Sequence, residues 1–356
     1  MTARILNFLF VVCIIFCVVP EQAFAENLKV LCRYVDPLSG EKVMGAVLDD
    51  NRILPLQATH VELRDGKPSP CFETIPDFFK NGGNDAKALA NKLISEALEK
   101  RRPLLKPEDV KLLAPVDPVK FVAGSIFEGH ATQSRAAWAR EIFTFQWAIA
   151  TLIGGGPFKP PQEHYNDVTY YQGNHLGWYT HNAGIPLPHG WESMDFEIEI
   201  AMLVIEKDGQ FKVGGYFLFN DFTHRKTQGL EINKVKHGFS ASKHVNAAGW
   251  KLVLAEYVDF SKITATATVI KPDGSMKTLC NGNTEDALFS PEDVLQSIEK
   301  RDGGIHHGEV ITTGTLTGCC GLEILGAAEA DLLFPNDRIR FESGILGDLE
   351  NKIIQE

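Results

Sequence analysis

Basic residues are in the minority in this chain. Lysine and arginine total 35 against 46 aspartate and glutamate, a formal net charge of −11, and that balance argues against a nucleic-acid partner, whose usual footprint is a basic patch. No segment repeats at a period of roughly 20 to 50 residues, which argues against a solenoid. Low-complexity tracts are missing, and beyond the first 25 residues no apolar run approaches the roughly 18 to 20 residues of a membrane span. The seven cysteines include no C-x-x-C pair, so zinc-type spacing is missing too. What is present is a 44% hydrophobic chain of 356 residues, enough for one large or two modest domains with a substantial core.

Residues 1–25 have a different character. Arg4, the apolar run from Ile5 to Val19 and a segment ending Ala23-Phe24-Ala25 have the form of a secretory signal peptide cleaved after Ala25. The run is shorter than a span requires, so an exported, soluble mature chain is expected ahead of a membrane-anchored one. Cys13 and Cys17 leave with this segment, and neither follows a small-residue lipobox. Cys32, Cys71, Cys280, Cys319 and Cys320 remain, an odd set that leaves at least one thiol free even in an oxidising compartment. They read as buried small residues, with a Cys32–Cys71 bridge as the pairing left open. The vicinal Cys319 and Cys320 in a Gly-rich turn are a weak signal for metal or redox chemistry.

The most informative stretch runs from Met194 to Gln228. Two hydrophobic β-type runs, DFEIEIAMLVI and GGYFLFND, flank the polar turn EKDGQ. In a strand Glu197 and Glu199 project to one side while Phe196, Ile198 and Ile200 project to the other. Two adjacent carboxylates on an apolar strand repel and resist desolvation unless a cation neutralises them, and a hard divalent ion prefers such oxygen ligands. Asp221, ending the second run, is placed to supply a third oxygen. The competing reading leaves both glutamates on the solvent face of a half-exposed strand.

The order of DFEIEIAMLVI, GYFLFNDFTHRKTQ and GEVITTGTLTGCCGLEI resembles the fumarylacetoacetate hydrolase superfamily, from about Leu28 to the end of the chain. The resemblance implies a mixed, β-rich α+β fold: residues 26–115 as a small N-terminal domain and 116–356 as the catalytic domain, commonly assembled as a homodimer. Short strands LKVLCRYVD, VMGAVLDD and RILPLQ and a helix stopping before Pro103 fit the first part. Ser290 and Pro291 read as the start of a later helix.

By resemblance, Glu197, Glu199 and Asp221 hold Mg²⁺, or Ca²⁺ or Mn²⁺. His130, in the loop EGHATQ, matches the catalytic histidine, Glu323 the glutamate that orients it, and Lys243 the active-site lysine. Arg225 and Gln228 match the family's A-R-D-x-x-Q motif, Thr315 and Tyr171 its contacts to substrate, and the Trp- and Phe-rich segment with Trp138, Phe143, Phe145 and Trp147 its lid, whose alternative is a packing helix. Taken without the family, a lone histidine such as His130 is more often structural than catalytic, and Arg225 is as readily a surface charge.

Four positions depart from the pattern: Ala123 where the fumarylacetoacetase branch has a further aspartate ligand, Gln133 where acylpyruvase-like members have a glutamate, Gln172 where a lysine is common, and Lys226 in place of the motif's aspartate. Ala123 counts against fumarylacetoacetate as substrate more than against a metal.

The chemistry implied is metal-assisted C–C hydrolysis of a β-dicarbonyl or 2-oxo acid, a small-molecule substrate, through an enolate. Decarboxylation, isomerisation or hydration through the same enolate is the alternative, as is a non-catalytic metal- and ligand-binding member.

Overall fold

The computed structural model describes residues 27–64, 66–142, 145, 149, 158–232, 241–301 and 304–355. The proposed signal segment 1–25, Phe143, Trp147 and the lysines at 234 and 236 near the Lys243 motif lie outside the described residues. The described chain is sheet-rich α+β, as the motif order implies.

The N-terminal strands are β1 (Val30–Val35), β2 (Lys42–Val47), β3 (Ile53–Pro55) and β4 (Lys111–Leu113). They are followed by β5 (Phe121–Ser125), β6 (Thr169–Gln172), β7 (Tyr179–Thr180), β8 (Gly184–Leu187), β9 (Ile198–Lys207) and β10 (Gln210–Phe222). The remainder are β11 (Val245–Ala248), β12 (Lys251–Leu254), β13 (Thr264–Ile270), β14 (Met276–Asn283), β15 (Val310–Thr312), β16 (Arg338–Ser343) and β17 (Gly347–Gln355). A large sheet has the order β3-β2-β1-β12-β10-β9-β15-β5-β6, with β11 on β10, β7 on β11 and β4 on β1; a second has the order β14-β13-β16-β17-β8. Through the antiparallel β1–β12 pair the N-terminal strands continue the large sheet.

The hairpin β9–β10 organises the molecule. Its two-residue turn is Asp208-Gly209, both at positive φ (55° and 71°), and an Asp-Gly loop in this conformation matches the right-handed twist of the strands it joins. That turn sets the register Gln210↔Lys207, which continues, after a bulge between Val213 and Gly215, to Phe219↔Glu199. Alternation then splits β9 between two cores. Phe196, Ile198, Ile200, Met202 and Val204 face a core shared with Phe341, Leu349 and Ile353 of the second sheet. Ala201, Leu203 and Ile205 face a second core built with Phe78 and with Leu93 and Ile94 of the helix Asn84–Glu99. Because β9 lies between β10 and β15 and its first eight residues are buried, a polar group in that part of the strand is costly without a partner. The helix Pro291–Arg301 starts as its sequence implies, with the Ser290 hydroxyl accepting from the Asp293 amide (3.1 Å) and Asp293 accepting from the Ser290 amide (3.1 Å).

The cysteine pairing differs from the one left open by the sequence. Cys280 on β14 is bonded to Cys319, while Cys32, Cys71 and Cys320 are free and buried. Cys32 sits among Tyr34, Ile53 and Trp250 on one side of the sheet and Cys71 in the helix-covered core on the other, so the sheet itself separates them. Cys320 has extended backbone (φ −148°, ψ 161°), and along such a chain neighbouring side chains point to opposite sides. One member of the vicinal pair therefore meets Cys280 and the other does not. A cross-link across 39 residues restricts the unfolded chain and typically adds about 2–4 kcal/mol. Cys280→Ser is expected to lose stability of that size in non-reducing urea or guanidinium titrations; a variant with the wild-type midpoint would show that the bond contributes nothing in solution.

Candidate active site

The ends of β9 and β10 place three carboxylates on one face. Glu197, Glu199 and Asp221 are 3%, 2% and 1% exposed, which removes the reading of Glu197 and Glu199 as solvent-facing. Glu199 stands opposite Phe219 in the ladder, and the Asp221 amide donates to the Glu197 carbonyl at 3.2 Å. One carboxylate oxygen from each of the three lies within 4.8 Å of the other two.

Two cations serve this cluster unequally. Lys243, in the segment entering β11, places Nζ 2.5 Å from Glu197 Oε2 and 2.7 Å from Asp221 Oδ2. Arg225, the first residue of the helix Arg225–Leu230, donates from one terminal nitrogen to Glu197 Oε1 (2.6 Å), from Nε to Asp195 Oδ2 (2.7 Å) and from the other terminal nitrogen to Gln228 Oε1 (2.8 Å). The Tyr171 hydroxyl donates to Asp221 Oδ2. Burial alone would raise the Glu197 carboxyl, but Lys243 and Arg225 outweigh it and hold Glu197 down at about 2. Burial, reinforced by the charges of Asp221 and Glu197, drives Glu199 well above the ordinary carboxylate range. Asp221 is also raised by burial, Lys243 opposing. Tyr171, raised by burial and by the same carboxylates, stays a donor.

Glu199 Oε2 and Asp221 Oδ1 are buried with no hydrogen-bond partner. Buried anionic oxygens are costly unless paired or metal-bound, so the cluster is one cation short at the two oxygens that Lys243 and Arg225 do not reach. An all-oxygen set of this kind suits Mg²⁺, Ca²⁺ or Mn²⁺, and these residues fit such an ion. Ala123, on β5, lies on the wall of the same cavity and brings no fourth carboxylate.

Facing the carboxylates across a cavity of about 300 Å³ is His130, on the helix Glu128–Ile142. Its Nδ1 lies 3.2 Å from Glu323 Oε2. Glu323 sits in the short helix Gly321–Leu325, where the Gly318 amide donates to Oε1 (3.1 Å) and the Cys320 thiol to Oε2 (3.2 Å). Burial would raise the Glu323 carboxyl, but His130 and these hydrogen bonds hold it below the usual range. With Nδ1–H committed to Glu323, the lone pair of His130 is on Nε2.

His130, Tyr171, Glu197, Glu199 and Lys243 share the cavity wall with Arg225, Gln228 and Thr315. Asp221 and Glu323 stand behind it, bonded to Lys243 and His130. Arg225 is 1% exposed and its guanidinium is spent on Asp195, Glu197 and Gln228, an arrangement that clamps the carboxylate end. Gln172 and Gln133 are exposed residues away from the cavity lining, and Lys226 is exposed with its amide on Asp331. Trp138 lines the cavity and packs beside Leu322 and Ala330.

Asp195 carries a role that the motif reading missed, and Arg135 lines the cavity without having been named by it. Asp195 is fully buried and accepts from Arg225 and from the amides of Gly321 (2.6 Å) and Leu322 (3.1 Å). It thus ties the Arg225 clamp to the helix that carries Glu323. The signal was available: Asp195, Glu197 and Glu199 share one parity in the strand. Arg135 follows His130 on the helix and lines the cavity, and it makes no ion pair with any described residue.

Residues 136–354 match the family model described as fumarylacetoacetate (FAA) hydrolase, C-terminal, a match that begins just after His130. No curated protein sequence matches significantly. Among solved structures, fumarylacetoacetate hydrolase from psychrophilic Exiguobacterium antarcticum superposes with a TM-score of 0.62 at 16% identity, covering 92% of this chain and 100% of that one. The apo form of 2-keto-3-deoxy-D-arabinonate dehydratase gives 0.56 at 18% identity, covering 92% and 99%. For 2-hydroxyhepta-2,4-diene-1,7-dioate isomerase from Mycobacterium marinum the values are 0.55 and 15%, again covering 92% and 99%. At these identities the likeness is one of fold.

Proposed function

The chain belongs to the fumarylacetoacetate hydrolase family, and from that premise we propose that it is a metal-dependent hydrolase cleaving a C–C bond in a β-dicarbonyl or 2-oxo acid. The observation that carries this reading is the pair of orphaned carboxylate oxygens on Glu199 and Asp221, across one cavity from a histidine oriented by a buried glutamate. Glu197, Glu199 and Asp221 hold the divalent ion, which when bound supplies Lewis-acid polarisation of a substrate carbonyl.

The chain's own groups do the rest. His130 Nε2 takes a proton from water while the water oxygen bonds to the substrate carbonyl carbon, and Glu323 stabilises the imidazolium that results. The C–C bond then breaks, its electron pair leaving as an enolate that His130 can reprotonate. Thr315 and Gln228, on the cavity wall, offer hydrogen bonds to substrate oxygens. Lys243, whose ammonium is held above its usual range by Asp221 and Glu197 against the effect of burial, keeps the carboxylate end neutralised. Purified protein assayed with Mg²⁺ or Mn²⁺ against a panel of acylpyruvates, fumarylacetoacetate analogues and oxaloacetate tests the reading; bound metal with no turnover of any of them would overturn it.

Isomerisation or dehydration is the second reading. It is favoured by Gln133, where acylpyruvase-like hydrolases carry a glutamate, and by the dehydratase and isomerase among the fold's neighbours. Export of the mature chain, with residues 1–25 as its signal, is part of the proposal and is supported by the Cys280–Cys319 bond, which suits an oxidising compartment. The proposed homodimer is tested by light scattering.

Arg135 points to an anionic tail on the substrate, since it is the cavity's cation without a carboxylate partner among the described residues. Arg135→Gln is expected to raise KM roughly tenfold for an oxo acid carrying a second carboxylate, a charge-assisted hydrogen bond being worth about 1.5–3 kcal/mol. KM for the matching neutral-tailed compound is expected to stay within about twofold; equal effects on both would remove Arg135 from substrate recognition.

A further inference from the structure

We propose that His130, Cys320 and Glu323 form a second cation site, selective for a soft divalent ion of the zinc class, beside the oxygen-only site for a hard one. The three residues bring one nitrogen, one sulfur and one oxygen within 4.8 Å of one another. His130 Nδ1 and Cys320 Sγ each stand 3.2 Å from Glu323 Oε2. Ligands at the 2.0–2.3 Å bond lengths of zinc sit roughly 3.3–3.6 Å apart on a tetrahedron, so both distances are within a few tenths of an ångström of what such an ion needs. Glu323 Oε1 stays on the Gly318 amide, an outer bond that fixes the carboxylate. These three residues leave a fourth position for a water molecule.

Sulfur decides the preference. Mg²⁺ and Ca²⁺ take oxygen and avoid thiolate, whereas zinc, cobalt and cadmium accept it. Cys319 is tied to Cys280, and the extended backbone turns Cys320 the other way, into the cluster. On binding, the Cys320 thiol loses its proton to solvent and the sulfur's electron pair goes to the ion. Thiolate, carboxylate and neutral imidazole then cancel the two positive charges, so no net charge is buried.

This site would silence His130 by its tautomer. An ion on Nδ1 uses the lone pair there and forces the ring proton onto Nε2, the atom that otherwise faces the cavity as a base. The inhibitory consequence rests on the reaction proposed above; the binding does not.

The test is a Co²⁺ titration of the Mg²⁺-saturated full chain under non-reducing conditions. One equivalent is expected to give a thiolate-to-cobalt charge-transfer band in the near ultraviolet that excess Mg²⁺ does not remove. The band is expected to vanish in Cys320→Ser and the cobalt affinity to fall at least tenfold in His130→Asn, whose site on the cavity wall spares the core. No band in the wild type, or a band that survives in Cys320→Ser and so belongs to another cysteine, overturns the site. A normal band with no loss of turnover would leave the site standing and remove His130 from its role as base.

Discussion

Glu199→Ala is expected to abolish Mg²⁺ binding and to lower kcat/KM by roughly 10³-fold, because Lewis-acid catalysis supplies several kcal/mol and each 1.4 kcal/mol is tenfold. The same change is expected to leave the metal-free fold as stable as wild type or more so. Glu199 is 2% exposed, one of its oxygens has no partner, and burial with two neighbouring carboxylates drives it towards the neutral form. Removing such a group takes away a desolvation cost rather than a contact. Wild type should therefore gain thermal stability on adding Mg²⁺, by RT ln(1 + [L]/Kd), while the variant gains none. Melting curves with EDTA and with Mg²⁺, alongside metal analysis, read both effects. A variant that still melts higher with Mg²⁺, at wild-type affinity, would mean that the ion sits elsewhere.

That trade of stability for a binding site explains what was legible in the sequence and what was not. The alternation in DFEIEIAMLVI shows a strand with two acidic residues on one face, and the Asp-Gly between the two runs shows the hairpin. The same alternation fits a solvated strand equally well. Burial of Glu197 and Glu199 follows from β9 lying between β10 and β15 under two cores, a property of strand order that no local pattern carries. Arg225 illustrates a second limit. A planar guanidinium next to an active site reads as a hand for substrate, yet three bonds turn it inward to Asp195, Glu197 and Gln228. Its partner Asp195 was two residues upstream of Glu197 and in phase with it. The cysteines show a third. Cys32 and Cys71 are as far apart in sequence as Cys280 and Cys319, 39 residues, so spacing does not choose between the pairs; Cys280 and Cys319 meet because β14 lies against the turn after β15.

His130→Asn is expected to lower kcat by about 10² to 10⁴-fold, the usual contribution of a positioned general base, with Mg²⁺ affinity at its wild-type value. The separation from Glu199→Ala is geometric. Among the described residues His130 makes no hydrogen bond to the three carboxylate ligands; its side chain meets Glu323 at 3.2 Å and Ser134 at 3.5 Å. Asparagine keeps a polar group on the cavity wall but has no lone pair that can take a proton at neutral pH. Glu323→Gln is expected to fall between the two, about 10- to 100-fold in kcat, since the amide oxygen still accepts from Nδ1–H but the charge that stabilises the imidazolium is gone. KM should barely move in either variant, because neither change removes a contact to bound substrate. Parallel metal titrations and initial rates for the two variants decide the matter. If His130→Asn keeps its turnover to within a few-fold while still binding Mg²⁺, the histidine only packs against Glu323, and the proton must be taken by another group on the cavity wall.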